Sequence, residues 1–163
     1  MSILATAYPA KKPRTKEAKQ IAWAYAGILA VMAILQVVGF TKFVLIIDSY
    51  WLPGGMPFAS FLAAFLIAAE LFSVVFLLRL KLSIAFRVFT MGLSWLVPLI
   101  WLILTIRAQT TTTSLTNIGI LGGYVQVIPG YWAVFVAVGL AILSLWATWG
   151  LWPFPFHPQR HKK

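Results

Sequence analysis

The chain has 163 residues, of which 61% are hydrophobic and 10% charged, and its formal net charge is +10. A soluble domain of this length could not bury so much apolar surface, so the composition excludes an ordinary soluble fold. The sequence contains no cysteine, which excludes disulfides, thiolate catalysis and cysteine-ligated metal centres within the chain. The composition therefore indicates an integral membrane protein.

Four apolar runs are long enough to cross the hydrocarbon core of a bilayer, which takes about 20 helical residues. They lie at 21–46, 58–78, 84–106 and 129–151. The sequence therefore predicts an all-α fold, an integral membrane four-helix bundle formed by residues 21–152. Basic tails at 1–20 and 153–163 are expected to flank this membrane domain.

Basic residues are distributed unevenly between the two sides of these spans. Eleven of the thirteen lie in the tails or around the short link between spans two and three, whereas Lys42 and Arg107 lie on the opposite side. By the positive-inside bias, both termini are expected in the cytoplasm. Anionic headgroups of the lipid bilayer, rather than nucleic acid, are the expected partners of the basic clusters. A prokaryotic inner membrane is the expected location.

The outer end of span one and the connection after it carry the first polar candidates. Gln36 lies in the outer half of the span, Lys42 lies near its outer end and Asp48 lies just beyond it. Lys42 and Asp48 could pair at the outer interface, or each could meet water. Tyr50 is typical of the aromatic belt at a membrane interface, and Pro53-Gly54-Gly55 predicts a turn.

Span two contains Glu70, one of three acidic residues in the chain. A carboxylate at membrane depth costs about 2.5–3.5 kcal/mol on insertion scales, so the fold is expected to neutralise it, hydrate it or use it. It could be a hydrogen-bonded group that fixes helix register, a group that binds a proton or ligand, or a group that faces lipid or another subunit. Ser94 and Trp95 on span three should lie at its depth. Arg87 could extend toward Glu70 or toward the headgroups.

The connections between spans predict how the helices pair. The link 79–83 is so short that spans two and three must be antiparallel neighbours, and two such hairpins make up the predicted bundle. Pro98 within span three should free a backbone carbonyl and favour a kink, with Ser94 close enough to help satisfy it. The connection 107–128 could form a strand-like cap, an interfacial segment or a partial re-entrant loop. An ordered cap on the outer side is the favoured interpretation.

The usual catalytic and metal-binding patterns do not occur in the sequence. No span contains paired carboxylates or a histidine, and the two Gly-Gly pairs read as turns rather than as phosphate-binding loops. His157 and His161 lie in the C-terminal tail, where nearby prolines oppose a helix that would present both. No metal site and no cofactor within the chain are therefore predicted, and an autonomous enzyme is not expected.

Three short motifs resemble those of the DoxX/MauE group of four-helix membrane proteins. They are Gly39-Phe-Thr-Lys-Phe43, Asp48-Ser-Tyr-Trp-Leu-Pro53 and Ala68-Ala-Glu-Leu71. That group tends to show Gly-x-x-Lys near the end of span one, a Tyr-x-x-Pro-like turn and a Glu-Leu pair within span two. Carried over by position, the residues that the resemblance marks are Lys42, Tyr50, Pro53 and Glu70.

The resemblance implies a membrane accessory to a redox system, such as a quinol oxidase subunit or a factor that matures a periplasmic amine dehydrogenase. Members associated with disulfide chemistry need cysteines, which this chain lacks, so a thiol-redox role is not expected. The leading hypothesis is a non-catalytic subunit or assembly factor that binds other membrane protein subunits. The alternative is a small carrier or binding protein for a proton, quinone or small cation, with Glu70, Gln36, Ser94 and Arg87 around a polar intramembrane site. A membrane enzyme acting on lipid or quinone is a third hypothesis.

Overall fold

A computed structural model describes residues 13, 15–110 and 116–151 of the chain. Within these ranges the protein is helical, and its five helices are α1 (Lys16–Val38), α2 (Phe40–Asp48), α3 (Gly55–Leu77), α4 (Ile84–Thr110) and α5 (Tyr131–Gly150). All except α2 are long and apolar enough to cross a membrane. The predicted all-helical membrane protein with four candidate spans is therefore confirmed at this level. The predicted C-terminal tail with its two histidines, and most of the N-terminal tail, lie outside the described residues.

The first predicted span differs from the structure, because it consists of two helices. α1 begins earlier than predicted, where the side chain of Thr15 accepts a hydrogen bond from the Ala18 N–H at 3.1 Å and caps the helix. α1 then ends at Val38, and α2 begins after Gly39. A Cβ atom at Gly39 would lie 3.0 Å from the ring of Tyr124, so the break lies where another part of the chain approaches the helix backbone closely.

The other three spans begin and end within a few residues of the predicted bounds. α3 and α4 are joined by residues 78–83, where Arg79 has a left-handed φ of 61°. α3 packs against α1, α2 and α4, while α5 packs against α1 and α4. The four long helices therefore form a closed ring of contacts around a shared core.

Residues 116–130, called the cap segment below, are irregular but tightly bonded. Asn117 organises them, because its Oδ1 accepts hydrogen bonds from the N–H groups of Gly119 at 3.0 Å and Val127 at 3.1 Å. The N–H of Ile118 donates to the carbonyl of Val127 at 2.9 Å. Ile118 is fully buried, so the segment inserts apolar side chains into the core instead of lying on its surface.

The cap segment sits on the end of α1. Gly122 has a φ of 72°, and a Cβ atom there would lie 2.5 Å from the carbonyl oxygen of Leu35. Only glycine allows both this backbone conformation and this close approach. The position of the cap segment therefore depends on a glycine that the sequence alone marked simply as a turn residue.

Candidate functional site

Glu70 lies on α3 inside the bundle and is fully buried. Its Oε1 accepts hydrogen bonds from Nε2 of Gln36 at 3.1 Å and from Nε1 of Trp101 at 3.3 Å. Gln36 comes from α1 and Trp101 from α4, and both side chains are fully buried as well. One carboxyl oxygen therefore joins three of the four candidate spans.

Gln36 extends this site to the cap segment. Its Nε2 also donates to the carbonyl oxygen of Ile120 at 3.2 Å. The amide nitrogen carries two hydrogens, and this pair of bonds uses both. Gln36 therefore connects the buried carboxyl of Glu70 to the cap segment through one amide group.

Two acceptor atoms of this site have no hydrogen-bond partner among the described residues. They are Oε2 of Glu70 and Oε1 of Gln36, and both are buried. A buried polar atom without a partner is uncommon in folded proteins and calls for an explanation. These two atoms belong to side chains that are already bonded to each other.

Arg87 does not pair with Glu70, although the sequence offered it as a partner. It is largely buried near the beginning of α4, while both hydrogen bonds to Glu70 come from neutral side chains. Glu70 has no cationic partner among the residues that the structure describes. The site that forms around Glu70 is therefore a network of neutral donors and not an ion pair.

Ser94 belongs to a separate polar junction, created by Pro98. Because Pro98 has no N–H, the carbonyl of Ser94 loses its helical donor. That carbonyl instead accepts hydrogen bonds from the hydroxyl of Tyr25 at 3.0 Å and the hydroxyl of Ser144 at 2.6 Å. The expected freed carbonyl is present, but it is satisfied by α1 and α5, since the hydroxyl of Ser94 donates to Met91 within its own helix.

Trp95 also faces away from Glu70. Its Nε1 donates to the hydroxyl of Thr148 on α5 at 2.7 Å. Sequence reasoning chose Trp95 and missed Trp101 as the aromatic donor to Glu70. A usable signal existed, because Trp101 follows Ser94 by about two helical turns and so shares the face of α4 on which a buried polar residue was expected.

The three candidates predicted for the outer interface do not form one site. Lys42 is exposed, and its Nζ lies 4.3 Å from the centroid of the Tyr124 ring in a cation–π contact. Asp48 is partly exposed and forms no ion pair with Lys42. Tyr50 is fully buried, so it is not the exposed belt residue that the sequence indicated.

Tyr50 instead fastens the cap segment. Its hydroxyl donates to the carbonyl oxygen of Ile118 at 2.9 Å, and its own carbonyl accepts a hydrogen bond from Nε of Arg107 at 3.3 Å. Burial raises the pKa of the Tyr50 phenol well above its ordinary value, because the phenolate would lose its hydration. The phenol therefore remains a donor over the physiological range.

Glu70 does not line the apolar cavity beside the cap segment. This cavity has a volume of about 620 Å³ and lies between α1, the cap segment and α5, with Gly27, Met32 and Trp132 in its wall. In the described part of the chain, no cluster of three or more His, Cys, Asp or Glu side chains could hold a metal ion. Neither Glu70 nor Gln36 lies in the wall of this cavity.

Comparisons with protein-family models, with curated proteins and with solved structures found no match to the chain. The resemblance to the DoxX/MauE group therefore stays a prediction from short motifs. The function has to be inferred from the geometry of the polar residues and from the surfaces of the helices.

Proposed function

We propose that this protein is a non-catalytic subunit or accessory factor of a membrane complex, in which it serves as a four-helix scaffold. One observation carries the proposal: the carboxyl of Glu70 is fully buried and bonded to Gln36 and Trp101 on neighbouring helices. A carboxyl in this position fixes the helices relative to one another. The donors to its Oε1 are side chains of the protein itself, Gln36 and Trp101, so this oxygen is not left available to a substrate.

The second polar junction supports the same interpretation. The carbonyl of Ser94 is bonded to Tyr25 and Ser144, and Trp95 is bonded to Thr148. Hydrogen bonds between membrane helices contribute about 0.6 kcal/mol each on average, so several of them together favour one arrangement of the helices. The polar residues of this second junction are therefore accounted for by helix packing.

α5 offers a surface for a partner subunit. Its polar side chains Ser144 and Thr148 point inward, whereas its outward face is apolar and aromatic. The exposed residues of this face include Tyr131, Trp132, Phe135, Ile142, Leu145, Trp146 and Trp149. Within a bilayer such a face contacts lipid or the span of another protein, and aromatic residues are enriched in protein interfaces.

The proposal includes the orientation inferred from the basic residues, with both termini in the cytoplasm, two antiparallel hairpins and the cap segment on the outer side. It also includes a prokaryotic inner membrane as the location. The association with a redox complex is supported by the resemblance of the motifs around Lys42, Tyr50 and Glu70 to the DoxX/MauE group. A quinone would then belong to the partner subunits.

Photo-crosslinking in native membranes tests the proposal. A photoreactive residue at Phe135 on α5 should crosslink to a second membrane polypeptide, which should also co-purify with the full chain at fixed stoichiometry in mild detergent. Ile103 on α4 is a matched control, because it is similarly exposed, at 63% against 75% for Phe135. A lone monomer that crosslinks to no protein from either position would rule out the subunit role.

A second candidate is favoured by the two unpartnered acceptors at Glu70 and Gln36. With these atoms the protein would act as a small carrier that passes a proton or small cation through the bundle. Reconstitution of the full chain into vesicles with an imposed proton or sodium gradient tests this role. Flux should disappear in a Glu70→Gln variant that keeps its fold, and equal flux in both proteins would eliminate the carrier.

A further inference from the structure

The hydrogen bonds of Glu70 and Gln36 leave one oxygen of each side chain without a donor, and one added proton could join these two oxygens. An amide N–H donates to one oxygen of the carboxyl, at 3.1 Å. The second oxygen of the carboxyl and the oxygen of the same amide are both buried acceptors without a donor among the described residues. A carboxylic acid and a primary amide form a closed ring of two hydrogen bonds when the acid O–H donates to the amide oxygen.

We propose that the folded protein binds one proton on Oε2 of Glu70 and holds it between this oxygen and Oε1 of Gln36. The protonated Oε2 of Glu70 would donate a hydrogen bond to Oε1 of Gln36. One proton therefore gives each of the two unpartnered atoms a hydrogen-bond partner. This proton-binding site goes beyond the scaffold function and does not depend on it, because it concerns the isolated chain. It would also exist if the chain had no partner subunit.

The orientation of the Gln36 amide is fixed by the cap segment. Nε2 donates to Glu70 and also to the carbonyl oxygen of Ile120, at 3.2 Å. An amide turned by half a rotation would place Oε1 against the carbonyl of Ile120, where two acceptors would repel each other. The oxygen of Gln36 therefore stays on the side of its amide away from Ile120, where it can receive the acid proton.

A neutral acid also agrees with the charges around the site. α1 presents Tyr25, whose hydroxyl donates to the carbonyl of Ser94. On α2 the ammonium of Lys42 is exposed and lies over the ring of Tyr124. On α4 the donor to Glu70 is the indole of Trp101.

The basic residues of α4 do not compensate a carboxylate either. Neither Arg87 nor Arg107 forms an ion pair with Glu70, and Nε of Arg107 donates to the carbonyl of Tyr50. A carboxylate among these groups would keep its full charge inside the bundle with neutral donors on one oxygen alone. Binding a proton removes that charge, which is the usual outcome for an unpaired buried acid.

Infrared spectroscopy of the full chain in detergent at neutral pH tests the proposal. The chain has only three acidic residues, so a double variant, Glu17→Gln with Asp48→Asn, leaves Glu70 as the sole acidic side chain without changing the site. We expect this variant to show the C=O stretching band of one protonated carboxyl, shifted in D₂O. The band should be lost when Glu70→Gln is added.

A third variant tests whether the amide of Gln36 holds the protonated carboxyl. In Gln36→Leu the band should move to higher frequency, because the acid loses both the N–H that donates to its C=O oxygen and the amide oxygen that accepts from its O–H. Absence of the band at neutral pH in the double variant would show an ionised carboxylate, free or bound to a cation, and would overturn the proposal. A band that does not move in Gln36→Leu would show a proton bonded elsewhere, for example to water, and would also overturn it.

Discussion

At the scale of single residues, Glu70 shows how a membrane span can contain an acid that has no basic partner within residues 15–110 and 116–151. Its Oε1 accepts hydrogen bonds from two neutral side chains, Gln36 and Trp101, on two other helices. These bonds satisfy the carboxyl only in part, and the same residues tie three spans together. The acid thus has a structural role that the apolar residues around it could not supply.

Replacement of Glu70 should distinguish this role from that of an apolar core residue. Glu70→Leu leaves the donors of Gln36 and Trp101 without an acceptor, and each such loss costs about 1–3 kcal/mol. Glu70→Gln keeps an acceptor oxygen and should retain most of the stability. The free energy of unfolding in mixed micelles measures both, with Glu17→Gln on the exposed start of α1 as a control. Equal stabilities for the leucine and glutamine variants would show that the hydrogen bonds from Gln36 and Trp101 to Glu70 do not stabilise the fold.

Tyr50 gives a prediction that depends on pH. Its pKa is raised in the folded state, so its contribution to stability is fully present below the pKa of an unfolded tyrosine, about 10, and is lost as the pH rises beyond that value. The free energy of unfolding should therefore fall above about pH 10. In Tyr50→Phe this fall should be smaller, and chemical denaturation across this pH range measures the difference. If the free energy of unfolding fell equally with pH in the wild type and in Tyr50→Phe, the result would contradict a raised pKa for the Tyr50 phenol.

The sequence predicted that Glu70 is a buried or functional polar residue, but not which residues surround it. Residue counts along straight helices place Ser94 and Trp95 at the depth of Glu70. In the structure the helices present Trp101 and Gln36 to it instead. Tilts and crossing angles between helices depend on packing, so they cannot be obtained by counting residues.

At the scale of elements, the cap segment and the break between α1 and α2 form one arrangement. Gly122 approaches the backbone at Leu35, and Gly39 makes room for Tyr124. The ends of the later spans could be predicted closely from the sequence, because they coincide with polar and turn residues. The break after Val38 could not, since the cause of that break is a segment that follows much later in the chain.

Substitution of Gly122 should release the cap segment. In Gly122→Ala, the new methyl group would meet the carbonyl of Leu35, and a left-handed backbone would be imposed on alanine, which together should cost about 1–3 kcal/mol. Gly27→Ala is the control, because nothing lies within 4 Å of a Cβ atom there and alanine favours a helix. Hydrogen exchange of residues 116–130 should rise in the first variant alone. Unchanged exchange would mean that the close approach does not position the segment.

At the scale of the whole molecule, four long apolar helices surround a core crossed by polar ties, and the outer faces are apolar. Composition alone sufficed to predict an integral membrane protein, because a soluble fold of this length could not bury so many apolar residues. The proposed orientation is predicted from a different property, the placement of basic residues. It can be tested directly, since the absence of cysteine allows single cysteines to be introduced.

Labelling of intact cells with a membrane-impermeant maleimide should reveal the orientation. Cysteine in place of Gln126 in the cap segment should be labelled from outside, whereas cysteine in place of Lys81 in the link between α3 and α4 should be protected until the cells are opened. Both native side chains are exposed in the structure, so access does not depend on unfolding. The reverse pattern of labelling would place both termini outside.

In the scaffold that we propose, the buried carboxyl of Glu70 holds the helices together through Gln36, and a double-mutant cycle measures this coupling. The free energy of unfolding would be measured for the wild type, Glu70→Leu, Gln36→Leu and the double variant. Bonded residues couple, so the effects of the single variants should exceed that of the pair by about 0.6–1.7 kcal/mol, the range for hydrogen bonds between membrane helices. Strictly additive effects would show that the two side chains act independently and would contradict the claim.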